Sequence, residues 1–111
     1  MSGAADPDQV FAALADPTRR QLLELIAGSP GGTATATELA ARLPVTRQAV
    51  AKHLAVLTAA GLVAPTRTGR EVRHAVRAAP LAEAAAWLAD RAAQWDRRLA
   101  AIRDLAEQGP R

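Results

Sequence analysis

The chain has 111 residues, room for one compact domain, and although half of it is hydrophobic, 29 residues are alanine and only Phe11, Trp87 and Trp95 are aromatic, which predicts helices around a thin core. The absence of cysteine excludes a disulfide framework, a thiolate metal site and a cysteine nucleophile. The formal net charge of +3 is uneven: residues 46–77 carry six basic groups and one acidic group, against three and five in residues 1–45 and five of each in residues 78–111. A basic middle third is either a solvated surface or the footprint of a polyanionic partner.

Met1 to Asp8 is small and polar, with no basic start followed by an apolar run, so no signal peptide is expected there. No stretch of about 18 apolar residues could span a bilayer. The expectation is a soluble cytoplasmic protein without a membrane partner. A thin core also favours help from a second subunit.

Asp6-Pro7 is a helix start, with aspartate as the cap and proline at the first position, and Val10, Phe11 and Leu14 follow at helical spacing. Asp16-Pro17 repeats the signal for a second helix whose apolar face is Leu22, Leu23, Leu25 and Ile26. Gly28-Ser29-Pro30-Gly31-Gly32 breaks it. Thr35 and Glu38 have capping-box spacing, opening a short third helix with Leu39 and Leu43 inside. Pro44-Val45 forms a turn, and Thr46 caps a fourth helix that runs to about Ala60, where Gly61 stops it. Residues 62–77 alternate and turn around Arg67-Thr68-Gly69-Arg70, which reads as a β-hairpin. Pro80 opens a last helix of about 25 residues, within 80–107, and Gly109-Pro110-Arg111 reads as a frayed end.

That last helix carries Leu81, Leu88, Trp95 and Ile102 every seven residues, with Ala85, Ala92 and Leu99 four places on, a narrow seam of coiled-coil type. The class is therefore mainly α with a small β-hairpin, in one domain covering residues 1–111. Residues 36–60 form a helix-turn-helix candidate, residues 62–77 a wing, and residues 80–107 a dimerisation helix.

In such a unit the second helix lies in the major groove of double-stranded DNA, with its N-terminal residues nearest the bases. Val50, Leu54 and Leu57 share one face and should pack inward, which turns Gln48, Lys52 and Ala55 outward with Arg47 and Ala51 beside them. Arginine and lysine suit guanine edges or phosphates, and glutamine suits adenine. Small Ala51 allows close approach. Thr46 stands at the helix start, where amides and the dipole favour a phosphate. His53 borders the inner face, so it either packs locally or reaches a phosphate. Arg67, Arg70 and Arg73 of the hairpin can follow a phosphate backbone or enter a minor groove. Taken singly, each reads as a solvated surface charge; the case rests on their sitting in a hairpin directly after a helix-turn-helix.

These segments resemble the ArsR-type winged helix-turn-helix regulators over about residues 8–107. The resemblance is carried by VFAALADPTRRQLLELI at 10–26, TATELAARLPVTRQAVAKHLAVLTAAGLV at 35–63 and RTGREVRHAV at 67–76. It implies a cytoplasmic homodimer of bacterial type that binds a palindromic operator near its own promoter and represses transcription. It also implies an interface built by the first and last helices: Phe11, Leu14, Leu81, Ala85, Leu88, Ala92, Trp95, Leu99 and Ile102. DNA contacts are implied from Thr46, Arg47, Gln48, Ala51, Lys52 and His53, and from Arg67, Arg70 and Arg73 in the wing. Arg19, within Asp16-Pro17-Thr18-Arg19, would lie near the DNA backbone or buttress the fold.

The chain departs from the metal-sensing members. Its third helix reads Glu38-Leu39-Ala40-Ala41-Arg42, without a thiol, and residues 80–107 contain no histidine. Neither a metal ion nor a cofactor is expected, and Glu83, Asp90, Asp96, Asp104 and Glu107 read as surface partners of arginines. No phosphate-binding loop and no nucleophile elbow is present, so an enzyme is not expected. Two other readings remain. One is a ligand- or metal-responsive repressor with a non-thiolate site at the dimer interface, where Trp87 could line a pocket for a small-molecule inducer, unless Trp87 simply packs against the body of its own or the partner subunit. The other is a winged helix used for protein contacts, which predicts an apolar or acidic outer face on the fourth helix.

Overall fold

Aspartate caps organise the N-terminal half of the chain. The computed structural model describes residues 6–109; the expectations for residues 1–5 and for Pro110 and Arg111 lie outside the described residues. α1 (Pro7–Leu14) begins where the Asp6 side chain accepts the Asp8 amide. α2 (Pro17–Ala27) begins where Asp16 accepts the amides of Thr18 and Arg19 at 2.7 and 3.3 Å. Each aspartate satisfies amides that the first turn leaves without partners.

A tight turn at Pro30–Gly32 leads into β1 (Thr33–Thr35), a strand that sequence patterning did not anticipate. Three residues are too short to show a period of two, and this strand exists only because β3 pairs with it. α3 (Ala36–Ala40) follows, and both legs of the expected capping box form, Thr35 with the Glu38 amide and Glu38 with the Thr35 amide. α3 ends at Ala40, earlier than the expected Leu43, and the turn to α4 (Arg47–Ala59) is longer than Pro44 to Thr46. Leu43 and Val45 still reach the core from that turn.

β2 (Val63–Thr68) and β3 (Glu71–Val76) form the hairpin, with the sheet order β1-β3-β2, all antiparallel. Thr68 pairs with Glu71, so the loop is Gly69-Arg70, and Arg67 and Thr68 belong to the strand. Gly69 has φ 63°, and the first position of such a two-residue loop favours glycine for that reason. The wing is therefore two strands of a three-stranded sheet.

The core joins Val10, Leu22, Ile26, Leu39, Val50, Leu57, Leu62 and Val63, all essentially sealed from solvent. Each of α1, α2, α3 and α4 gives it one stripe. α5 (Ala79–Gln108) does not: across 30 residues it buries only Pro80 and Ala84. It is longer than the expected 25 residues, and at about 1.5 Å per residue it spans roughly 45 Å. The radius of gyration is 19.7 Å, against about 13 Å for a compact domain of this length, because α5 projects beyond the body.

Candidate nucleic-acid interface

α4 is fixed from below and open above. Val50, Leu54 and Leu57 are buried, as their spacing predicts. On the other side Thr46, Arg47, Gln48, Ala51, Lys52 and Ala55 are exposed. The Thr46 hydroxyl accepts the Ala49 amide at 3.1 Å, so α4 starts on a capped turn. Arg47 Nε donates to Thr37 Oγ1 at 2.9 Å, which ties the start of α4 to α3. No hydrogen bond or ion pair with another described residue engages the side chains of Gln48, Lys52, Arg67 or Arg70. They are free to meet a ligand.

The hairpin stands beside α4 with a groove between them. Val72 and His74 face Ala51, Leu54, Ala55, Thr58 and Ala59 across it. Adjoining it, a cleft of about 410 Å³ is lined by Thr37, Arg47, Arg70 and Val72 together with the carboxylate residues Glu38 and Glu71. One cationic group from the recognition helix and one from the wing tip thus share a cleft. Residues directly opposite in a strand pair point to the same face. Arg67 lies opposite Val72, so it belongs to the face turned toward α4.

Besides Thr46 and Arg47, three more residues of the expected set are engaged within the protein. Arg19 Nε and Nη2 donate to the carbonyls of Ala13 and Ala12 at 2.6 and 2.9 Å, satisfying the open end of α1. Its Nη1 lies 3.5 Å from Nδ1 of His53 and 3.7 Å from Asp16. Arg19 and His53 therefore lock the α1–α2 junction onto the middle of α4, the buttressing alternative for Arg19. Arg73 donates to Thr33, Glu38 and Glu71. Sequence spacing could not show these links, since Arg73 and Thr33 are 40 residues apart. Thr37, which holds Arg47, was missed for the same reason.

Along α5 the expected interface residues divide. Phe11, Leu14 and Leu81 are half-buried against their own core. Leu88, Trp95, Leu99 and Ile102 remain 51–62% exposed, Ala85 and Ala92 are also exposed, and Leu105, outside the expected seam, is 70% exposed. Trp87 packs against Phe11 at 5.6 Å between ring centroids, with the Arg91 guanidinium 4.5 Å over it. The residue nonetheless stays 39% exposed. Asp90 pairs with Arg91 at 2.7 Å. Among the described residues, no three His, Cys, Asp or Glu side chains come together as metal ligands, and no helix is long and apolar enough to cross a membrane.

A helix-turn-helix followed by a hairpin, with the exposed helix face cationic, defines a winged helix-turn-helix protein of the nucleic-acid-binding type. Comparison with known proteins agrees. A family model described as a helix-turn-helix domain matches residues 14–66. A solved ArsR-like transcriptional regulator from Rhodococcus sp. RHA1 superposes with a TM-score of 0.85 at 46% identity, over 93% of this chain and 92% of that one. The HTH-type transcriptional regulator Rv2034 of Mycobacterium tuberculosis is 45% identical over 69 residues, 62% of each chain. The transcriptional repressor SdpR of Bacillus subtilis is 28% identical over 81 residues, 73% of this chain and 87% of its own. The match thus spans less than two thirds of Rv2034 and most of the other two. The chain belongs to the ArsR-like family of winged helix-turn-helix transcriptional regulators.

Proposed function

We propose that the protein is a cytoplasmic, homodimeric repressor that binds a palindromic DNA operator. The observation that carries this reading is the open basic face: Gln48, Lys52, Arg67 and Arg70 without partners among the described residues, and Arg47 and Arg70 lining one cleft. A winged helix used for protein contacts would need an apolar or acidic outer face on α4, whereas α4 presents Arg47, Gln48 and Lys52 there.

The second half of the reading is pairing. The exposed apolar row on α5 has the spacing of a helix–helix seam, and its residues stay 51–70% exposed, with Trp95 touched by Arg98 at 5.3 Å. Two chains joined along it, with α1 alongside, would hold two α4 helices about 34 Å apart, one turn of duplex. Arg47, Lys52, Arg67 and Arg70 would neutralise phosphates, and Gln48 with Arg47 or Lys52 would read base edges. Ala51 would let the helix sit close, and the Thr46 end of α4 would face a phosphate.

The test is fluorescence anisotropy with the DNA upstream of the protein's own gene, at several salt concentrations, against random competitor. If a dimer neutralises six to eight phosphates, log affinity falls against log salt with a slope of about −5 to −7. Tight binding that survives the competitor establishes an autoregulating repressor. A slope near zero, or equal and weak binding to both DNAs, overturns the operator reading.

A further inference from the structure

The sheet has two faces, and Arg73 is on the wrong one for a direct role at the groove. Val72 and His74 point toward α4. Arg73, between them in β3, points to the opposite face, where its cross-strand neighbours are Thr35 in β1 and Thr66 in β2. There its guanidinium is used on three sides. Nε donates to Thr33 Oγ1 at 2.9 Å and Nη2 to the Thr33 carbonyl at 3.2 Å. Nη2 also meets Glu38 Oε1 at 3.2 Å, and Nη1 meets Glu71 Oε2 at 3.4 Å. Glu38 Oε1 is the same atom that accepts the Thr35 amide in the cap of α3.

We infer that Arg73 is a positioning residue for DNA binding: it clamps the wing strand β3 to β1 and to the first turn of α3, and so sets where Arg67 and Arg70 stand relative to α4. This rests on the DNA-binding reading above, and it replaces a phosphate contact by Arg73 with an indirect role. The fork geometry is the reason arginine is needed. A planar guanidinium can hold a hydroxyl, a carbonyl and a carboxylate at once, whereas an ammonium on a flexible stem cannot reproduce that set. As a phosphate ligand, by contrast, lysine is an adequate substitute.

That asymmetry supplies the experiment. Arg73→Lys and Arg73→Ala are each made in the full chain, alone and together with Arg67→Ala/Arg70→Ala. Binding is measured to a duplex of about 30 base pairs selected by the wild type from a random pool. Positioning predicts that both Arg73 variants weaken binding by a similar factor, about fivefold or more, and that neither weakens it further once Arg67 and Arg70 are gone. Thr33→Val, which removes one acceptor without changing charge, should weaken binding in the same direction. Lysine at near wild-type affinity overturns the inference, as does an equal fold-loss from Arg73→Ala with and without the wing arginines. If Arg73→Ala does not fold, by circular dichroism, Arg73→Lys and Thr33→Val still decide. A wild type that selects no duplex removes the DNA-binding reading itself. A wild type that binds while the variants behave as direct-contact losses removes only the clamp.

Discussion

α4 and α5 are both amphipathic, yet what each leaves exposed is opposite in kind. α4 spends its apolar stripe on its own core and presents Arg47, Gln48 and Lys52 to solvent. α5 buries two residues and presents Leu88, Trp95, Leu99, Ile102 and Leu105. An exposed polar face is ordinary; an exposed row of large apolar residues costs free energy unless something covers it. On the function proposed above, the two faces have two kinds of occupant, a polyanion for α4 and a second apolar helix for α5. It also locates the thin core predicted from the alanine content, since α5 adds only Pro80 and Ala84 to the buried residues.

The sharpest way to break this contrast is to put a charge into the α5 row. Leu88→Glu or Trp95→Glu should weaken self-association by at least about a hundredfold in sedimentation, with DNA binding lost alongside, because a buried unpaired carboxylate costs several kcal/mol. A Leu88→Glu protein that remains dimeric would remove the seam from the interface. Next comes the buried stripe of α4. Leu57→Ala should lower unfolding free energy by about 2–5 kcal/mol in denaturant titration, since Leu57 is sealed and a cavity would remain. On the exposed face of the same helix, Lys52→Ala or Gln48→Ala should leave the denaturation midpoint almost unchanged. Each should nevertheless cost about 1–3 kcal/mol of operator binding if the side chain reads a base. A stability loss there as large as that of Leu57→Ala would mean that the two faces are misassigned.

The smallest effect lies at the α3 cap. The Thr35 amide, and then the Arg73 charge and hydroxyl of Thr35, hold the Glu38 carboxyl below the ordinary glutamate range. A carboxylate depressed in the folded state stabilises above its unfolded pKa, and that contribution fades as pH falls through the folded value. The thermal midpoint of wild type should therefore exceed that of Glu38→Gln at neutral pH, and the gap should close below about pH 4. A gap that widens in acid would contradict the sign.

Local signals in this chain were strong where one residue acts on its near neighbours. Asp6, Asp16, Thr35 and Thr46 cap where their spacing says they should, because a cap needs only the next three amides. The inward stripe of α4 and the apolar row of α5 were legible as periodicity, because helical geometry alone puts those residues on one face. The candidate DNA face followed from the same geometry. Leu105 escaped because it lies off the strict seven-residue repeat, and the contact of Trp87 with Phe11 joins two helices that spacing within α5 could not relate.

What the amino-acid order determined by itself was thus the succession of helices, the hairpin and the chemistry of each free face. The tertiary structure decided the rest. β1 forms only because β3 lies next to it, and α3 ends at Ala40 while Leu43 and Val45 of the following turn still pack against the core. Most of all, packing divided the arginines. Arg67 and Arg70 stand free beside α4, while Arg19 and Arg73 are consumed by carbonyls, hydroxyls and carboxylates of distant segments. A guanidinium's partners are chosen by proximity in space, and sequence spacing carries no information about which loop will fold against it.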